Sequence, residues 1–200
     1  HDVRTEACAA AAAGSDARMS GCPLPVVINS GSGNQGITVT MPALVYAREW
    51  KISEEKMYRA LLVSNLVSIY IKHYIGALFA FCGAVSAACG SGAAITFMAS
   101  GDYQHIGRTI TNTLANVGGI VCDGAKSSCA AKIAASVNAA LLAHYMSMSD
   151  KQFQAGEGIV EQDVEETIKN MGYRGRVGMK STDKEILNGM IDKADVDSCL

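Results

Sequence analysis

The chain is organised by long apolar stretches at helical spacing, separated by short polar or glycine-rich breaks. Thr5 to Ala13 is alanine-rich and favours helix, and Gly14, then Gly21 with Pro23 and Pro25, mark where regular helix should stop. Val26-Val27-Ile28 is a short apolar run that suits extended chain. Asn29-Ser30-Gly31-Ser32-Gly33-Asn34-Gln35-Gly36 is too polar and too glycine-rich to pack as an element, so its exposed amides and hydroxyls need a use.

From Ile37 to Trp50 the pattern is again helical. Ser53, with Glu54 and Glu55 behind it, makes a good N-terminus for a second helix to about Lys72, because acids favour the positive end of the helix dipole. The later part of that helix, Leu61-Leu62-Val63 through Ile69-Tyr70-Ile71, is apolar nearly all round, the mark of a helix at the centre of a core. Asp102 to Asn116 predicts another helix closed by Gly118-Gly119. Ile120 to Gly124 is a turn leading through Ser127-Ser128 to Cys129, and Ala130 to about Met146 is a long helix. Asp163 with Glu166, and Thr182 with Glu185, have the spacing of capping boxes, the first helix ending at Gly172; Gly172 to Gly178 reads as a β-turn or hairpin. The expectation is a mostly α, compact helical domain with a buried central helix and at most a minor β-hairpin.

The segment from Tyr74 to Ser100 carries no charge and reaches membrane-spanning length. Gly76, Gly83, Gly90 and Gly92 argue instead for buried helices broken by a tight loop. Composition agrees: 49% hydrophobic residues with only 6% aromatic suggests helices crossing closely over small side chains. A net charge of −2 offers no basic surface for phosphate neutralisation, so neither nucleic acid nor a membrane surface is an expected partner. Seven cysteines without a secretory segment suit a reducing, cytoplasmic setting, where thiols act as small hydrophobes, ligands or nucleophiles.

Four of those cysteines form two pairs of equal spacing, Cys82 with Cys89 and Cys122 with Cys129. Two thiolates on one zinc lie no more than roughly 4.6 Å apart, whereas seven residues of helix rise about 10.5 Å, so neither pair shares a zinc from a continuous helix. A multi-iron cluster is wider and can be gripped from separated positions. Gly83 and Gly124 beside Cys82 and Cys122 would let an inorganic core approach the backbone. Cys129 at a helix start lies where partial positive charge stabilises a thiolate. Spacing alone leaves the other reading open, in which the cysteines are core residues of a non-catalytic helical binding module.

The strings Asn29 to Gly36, Tyr74-Ile75-Gly76 with Phe81-Cys82-Gly83, and Gly118 to Lys126 ending at Cys129 resemble the L-cysteine desulfidase family, which is related to the alpha chain of iron-sulfur L-serine dehydratases. The resemblance runs from about Asp2 to Ile191 and corresponds to the C-terminal half of a member, a cluster-binding catalytic domain (residues 1–200) whose N-terminal portion, an expected partner, is absent. It implies a [4Fe-4S] cluster on Cys82, Cys122 and Cys129, with the fourth iron open as a Lewis acid on the amino-acid substrate. The implied reaction is a carbon–sulfur lyase elimination of sulfide from L-cysteine to give pyruvate and ammonia; L-serine dehydration is the close alternative. The family's catalytic cysteine belongs to the absent portion, so this stretch alone is expected to be inactive. Ser30, Gly31, Ser32, Asn34 and Gln35 are the candidate substrate-binding residues through the backbone amides of their loop. Lys72 and His73 are weaker candidates for proton donation or for neutralising the substrate carboxylate. Arg18 is open between substrate and Asp16, and His105 and His144 read as structural. A homo-oligomer is compatible with the sequence.

Overall fold

The computed structural model describes residues 2–76, 80–99 and 101–192, all within one helical domain. Eight α-helices follow in order: α1 (Val3–Met19), α2 (Gly33–Glu49), α3 (Glu54–Ile75), α4 (Gly83–Ala99), α5 (Tyr103–Val117), α6 (Cys129–Met148), α7 (Val164–Tyr173) and α8 (Lys180–Met190). Among the described residues there is no strand, only isolated bridges between Asn29 and Ser32 and between Phe81 and Val121. None of the described helices is long and apolar enough to cross a membrane.

The central helix is α4, not α3. Only Gly83, Phe97 and Ala99 of α4 escape burial, and α2, α3, α5 and α6 surround it. The reason is side-chain size: Gly90 lies against the Ser64 carbonyl of α3, and Gly92 lies against Ala140 of α6. Backbones that approach this closely enclose the small-residue helix, not the one with the most leucine. On α3 the inward stripe is Ala60, Ser64, Ser68, Ile71, Lys72 and Ile75, while Leu62 and Leu66 are each 62% exposed and Ile69 and Tyr70 are also on the outside. Its buried serines are satisfied at once, Ser64 Oγ donating to the Val39 carbonyl at 2.6 Å and Ser68 Oγ to Asn29 Oδ1 at 2.9 Å.

Several helix ends follow local chemistry. Asp2, Ser53, Asp102 and Asp163 each accept from backbone N–H groups in the first turn of α1, α3, α5 and α7. Others differ from expectation for packing reasons. α1 continues through Gly14 to Met19, because the bare glycine face seats Ile37 of α2. Gly172 does not end α7, since its missing side chain makes room for Tyr74, and the helix runs on into a π-helical stretch, Arg174–Gly178, where the hairpin was expected. Gly175 serves packing too, against Ile75 and Phe81. Thr182 caps nothing, because α8 has already begun at Lys180. Val26 to Ile28 pairs with no strand, and Leu24, Val27 and Ile28 are exposed.

Candidate functional site

Two loops meet at the N-terminal end of α4. The Phe81–Val121 bridge is flanked by Cys82 N–H donating to the Ile120 carbonyl at 3.0 Å and Cys122 N–H donating to the Ala80 carbonyl at 2.6 Å. This brief antiparallel pairing sets Cys82 and Cys122 side by side although they lie forty positions apart in the sequence. Their thiols titrate as a linked pair through a hydrogen bond in which Cys82 keeps its proton. That bond lowers the Cys122 thiol from its ordinary value to about 6, assisted by the Gly124 amide and the Lys132 charge against the opposing effect of burial. The same bond, with burial, pushes Cys82 strongly up. The pair therefore holds one proton between two sulfurs near neutral pH.

Two lysines face the pair. Lys72, only 7% exposed on the inward stripe of α3, is lowered by burial while the charges of Cys122 and Cys82 act the other way. Lys132 on α6 donates to the Val121 carbonyl at 2.9 Å and pairs with Asp123. Burial works against its charge, but Asp123 and the two thiols outweigh it and raise its pKa. Asp123 is in turn held low, first by Lys132. Lys132 and Asp123 carried no signal in the sequence beyond their nearness to Cys122 and Cys129. His73 is exposed, its ring against Tyr74 and its carbonyl accepting from Arg176, so of the two neighbouring candidates only Lys72 is turned inward.

The third cysteine stands apart. Cys129, first residue of α6, receives the Lys126 N–H on Sγ at 3.4 Å and directs its thiol to the Gly124 carbonyl at 3.5 Å. Among the described residues no group of three or more His, Cys, Asp or Glu side chains is arranged to hold a metal ion. Cys129 is nevertheless one turn before Lys132 on the same face of α6, beside the corner that holds the pair. The donor chemistry suits a thiolate-bound group: two thiols that titrate as a linked pair, a third braced by bonds a metal could replace, and two cations to offset charge. Cys89 is fully buried in the apolar cluster of α4, where burial pushes its thiol up. Cys8 packs half-buried on the core and Cys22 is exposed.

The flanking glycines do not open the backbone to a ligand as expected. The space beside Gly83 is filled by the Gln35 side chain, and Met190 Cε stands 3.1 Å from the place of a side chain at Gly124, whose φ of +99° itself demands glycine. That first contact ties the polar loop to the thiol corner. The loop turns through Ser30 (φ +48°) and Gly31 (φ +81°), and Ser32 caps α2 by accepting the Gln35 N–H at 3.4 Å. Gly36 packs directly on the Val27 carbonyl. Asn29 anchors the loop to α3, its amide donating to Asn65 Oδ1 at 3.0 Å. Arg18, at the end of α1, lies over Gly33 and donates to Asn34 Oδ1 at 3.1 Å; the bond runs to the loop instead of to Asp16.

The shared proton has a measurable consequence. In metal-free protein, alkylation of Cys122 by iodoacetamide is expected to rise with a midpoint near pH 6. Cys82→Ala should slow it about tenfold at pH 6.5, since the lost thiolate fraction outweighs the gain in intrinsic nucleophilicity. Peptide mass spectrometry across pH reads both; an unchanged rate in Cys82→Ala would mean the thiols are uncoupled.

The domain is thus a helical one in which the α3–α4 and α5–α6 loops bring two thiols together. The chain belongs to the serine dehydratase alpha chain family, whose model matches residues 2–188. It is 57% identical to a UPF0597 protein of Desulfitobacterium hafniense over 96% of this chain and 45% of that protein. A UPF0597 protein of Finegoldia magna is 52% identical over 96% of this chain and 46% of its own length, and one of Fusobacterium nucleatum 47% identical over 95% and 44%. The chain thus spans less than half the length of these curated relatives. No solved structure matches it.

Proposed function

We propose that this chain is the cluster-binding part of an iron-sulfur lyase that eliminates sulfide from L-cysteine, yielding aminoacrylate that hydrolyses to pyruvate and ammonia. The observation that carries the reading is the thiol pair Cys82–Cys122, set between Lys72 and Lys132 and joined through Gly83 and Gln35 to the polar loop at the start of α2. Membership of the serine dehydratase alpha chain family supports the lyase class.

In this reading Cys82, Cys122 and Cys129 hold a [4Fe-4S] cluster, Cys129 after its thiol leaves Gly124. The cluster when bound supplies Lewis acidity toward the β-substituent and amino acid. The chain's own residues do the rest: Lys72 and Lys132 balance the negative charge of three thiolates, and Ser30, Gly31, Ser32, Asn34 and Gln35 seat the amino acid. The base that removes the Cα proton comes from the portion of the longer relatives that this chain does not span. A lysine buried beside two thiols is an unusual grouping for a purely structural core. That is the argument against a non-catalytic helical module.

The family description favours a second reading, dehydration of L-serine by the same elimination with hydroxide in place of sulfide. Anaerobic reconstitution of the intact polypeptide with iron and sulfide, followed by parallel assays for sulfide from L-cysteine and pyruvate from L-serine, separates the two. Faster turnover of L-cysteine is expected. Preference for L-serine would replace the substrate, and a folded, reconstituted preparation active on neither would remove the enzymatic reading.

A further inference from the structure

The turn between α5 and α6 carries two of the three cysteines, and a side chain from outside the turn ties it together. Lys132 stands one turn of α6 after Cys129 and reaches back, Nζ donating to the Val121 carbonyl at 2.9 Å and pairing with Asp123 Oδ1. Val121 and Asp123 flank Cys122, so both bonds fall on the residues that aim its thiol. Lys126 takes the other oxygen of Asp123, Nζ to Oδ2 at 3.3 Å, and its own N–H reaches Cys129 Sγ at 3.4 Å. The contacts thus run from both neighbours of Cys122 to the helix of Cys129, and again through Asp123 and Lys126 to its sulfur. Packing gives this turn little support, since residues 125–128 are exposed and Gly124 stands at φ +99°. A turn left loose would have to be ordered by whatever binds its thiols, and the binding would be weaker for it.

We propose that Lys132 is a positioning residue: its bonds to Val121 and Asp123 lock the Cys122 turn onto the helix of Cys129, so that two sulfur ligands are set before iron arrives. This rests on the cluster reading above and adds what holds the ligands in place. An exposed lysine–carboxylate pair contributes little, but the Lys132 side chain is only 26% exposed and commits a donor to a backbone carbonyl as well. Bracing is separable from charge balance, because the two have opposite consequences at Asp123. If Lys132 only offset thiolate charge, removing the Asp123 carboxylate would leave more positive charge beside the sulfurs and hold a cluster at least as firmly. If Lys132 is a brace, the same change removes the ionic anchor of both Lys132 and Lys126, and the turn loosens.

Two readouts, neither of them turnover, test the brace. Intact polypeptide reconstituted with iron and sulfide is challenged anaerobically with an iron chelator, and the fading of the cluster's visible absorption gives its half-life. Metal-free protein is followed by hydrogen exchange of the peptide that spans residues 121–128. Lys132→Met and Asp123→Asn are each expected to shorten the half-life about tenfold, as loss of a ligand-orienting partner does. Both should also speed exchange of the turn by about tenfold while peptides of α4 keep their protection. Lys132→Arg, which keeps the charge and the donors, should stay near wild type. Unchanged exchange of the turn in Lys132→Met, or a cluster held as long as in wild type by Asp123→Asn, overturns the brace. Faster exchange in α4 as well would make Lys132 a residue of general stability and overturn it too. Failure of the cluster reading has a different signature: wild type takes up no cluster while the turn still loosens in Lys132→Met, which withdraws the positioning role and leaves only a braced turn.

Discussion

Gly90→Ala is expected to destabilise the domain by about 2 kcal/mol or more, although the same exchange in an isolated helix would stabilise it. The intrinsic helix preference for alanine over glycine contributes about 1 kcal/mol in favour. Against it, the new methyl would overlap the Ser64 carbonyl oxygen, a backbone atom of α3. Neither partner can retreat, because α4 is enclosed by four helices and residue 64 sits on the buried stripe of α3. Overpacking of this kind costs roughly 1–3 kcal/mol and more where backbone must move. Gly189→Ala makes the contrast: exposed on α8, with nothing near the added methyl, it should raise stability by up to about 1 kcal/mol. Urea denaturation of both variants reads the opposite signs. Equal behaviour would show that α3 and α4 are not in intimate contact.

The largest pH effect should come from His144. It is 2% exposed on α6, its Nδ1 is 2.9 Å from Thr96 Oγ1, and its ring stacks near Trp50 and Tyr145. Burial lowers its pKa from 6.5 to about 4, so the folded protein keeps it neutral where the unfolded chain would accept a proton. Between those values the unfolded state binds more protons, and stability rises with pH. Its contribution is whole above pH 6.5 and is lost progressively as pH falls toward 4, a total of roughly 3 kcal/mol. Carboxylates also titrate in this range, so the diagnostic quantity is the difference between wild type and His144→Gln. Their stability curves, measured by denaturant at pH 4 to 7, should converge as pH falls. Parallel curves would mean that the imidazole is hydrated or already charged in the folded state.

The helices that could be read from the chain are those whose ends carry local chemistry. Ser53, Asp102 and Asp163 announce α3, α5 and α7 because a cap is a contact between neighbours in sequence. The glycines misled for the opposite reason. Gly14 and Gly172 look like stops, yet each is the place where another element comes close, Ile37 against one and Tyr74 against the other. Without a partner in view, a glycine that breaks a helix and one that admits a neighbour are the same letter.

The site divides in a similar way. The thiols and the polar loop stand out in the sequence, since Cys82, Cys122 and Cys129 among glycines and a run of eight residues without an apolar side chain from Asn29 to Gly36 are local patterns. Their residue types and the helices between them are written into neighbouring positions. Tertiary structure alone decided that the loops of Cys82 and Cys122 pair while Cys129 stays with Gly124, that Lys72 turns inward and His73 outward, and that Arg18 leans on Gly33. It also decided that α4 and not α3 is enclosed, because the closest approach goes to the helix with the smallest side chains. Pattern along a chain reports what each face can tolerate; which faces meet is settled by long-range packing, whose contacts leave no spacing to read.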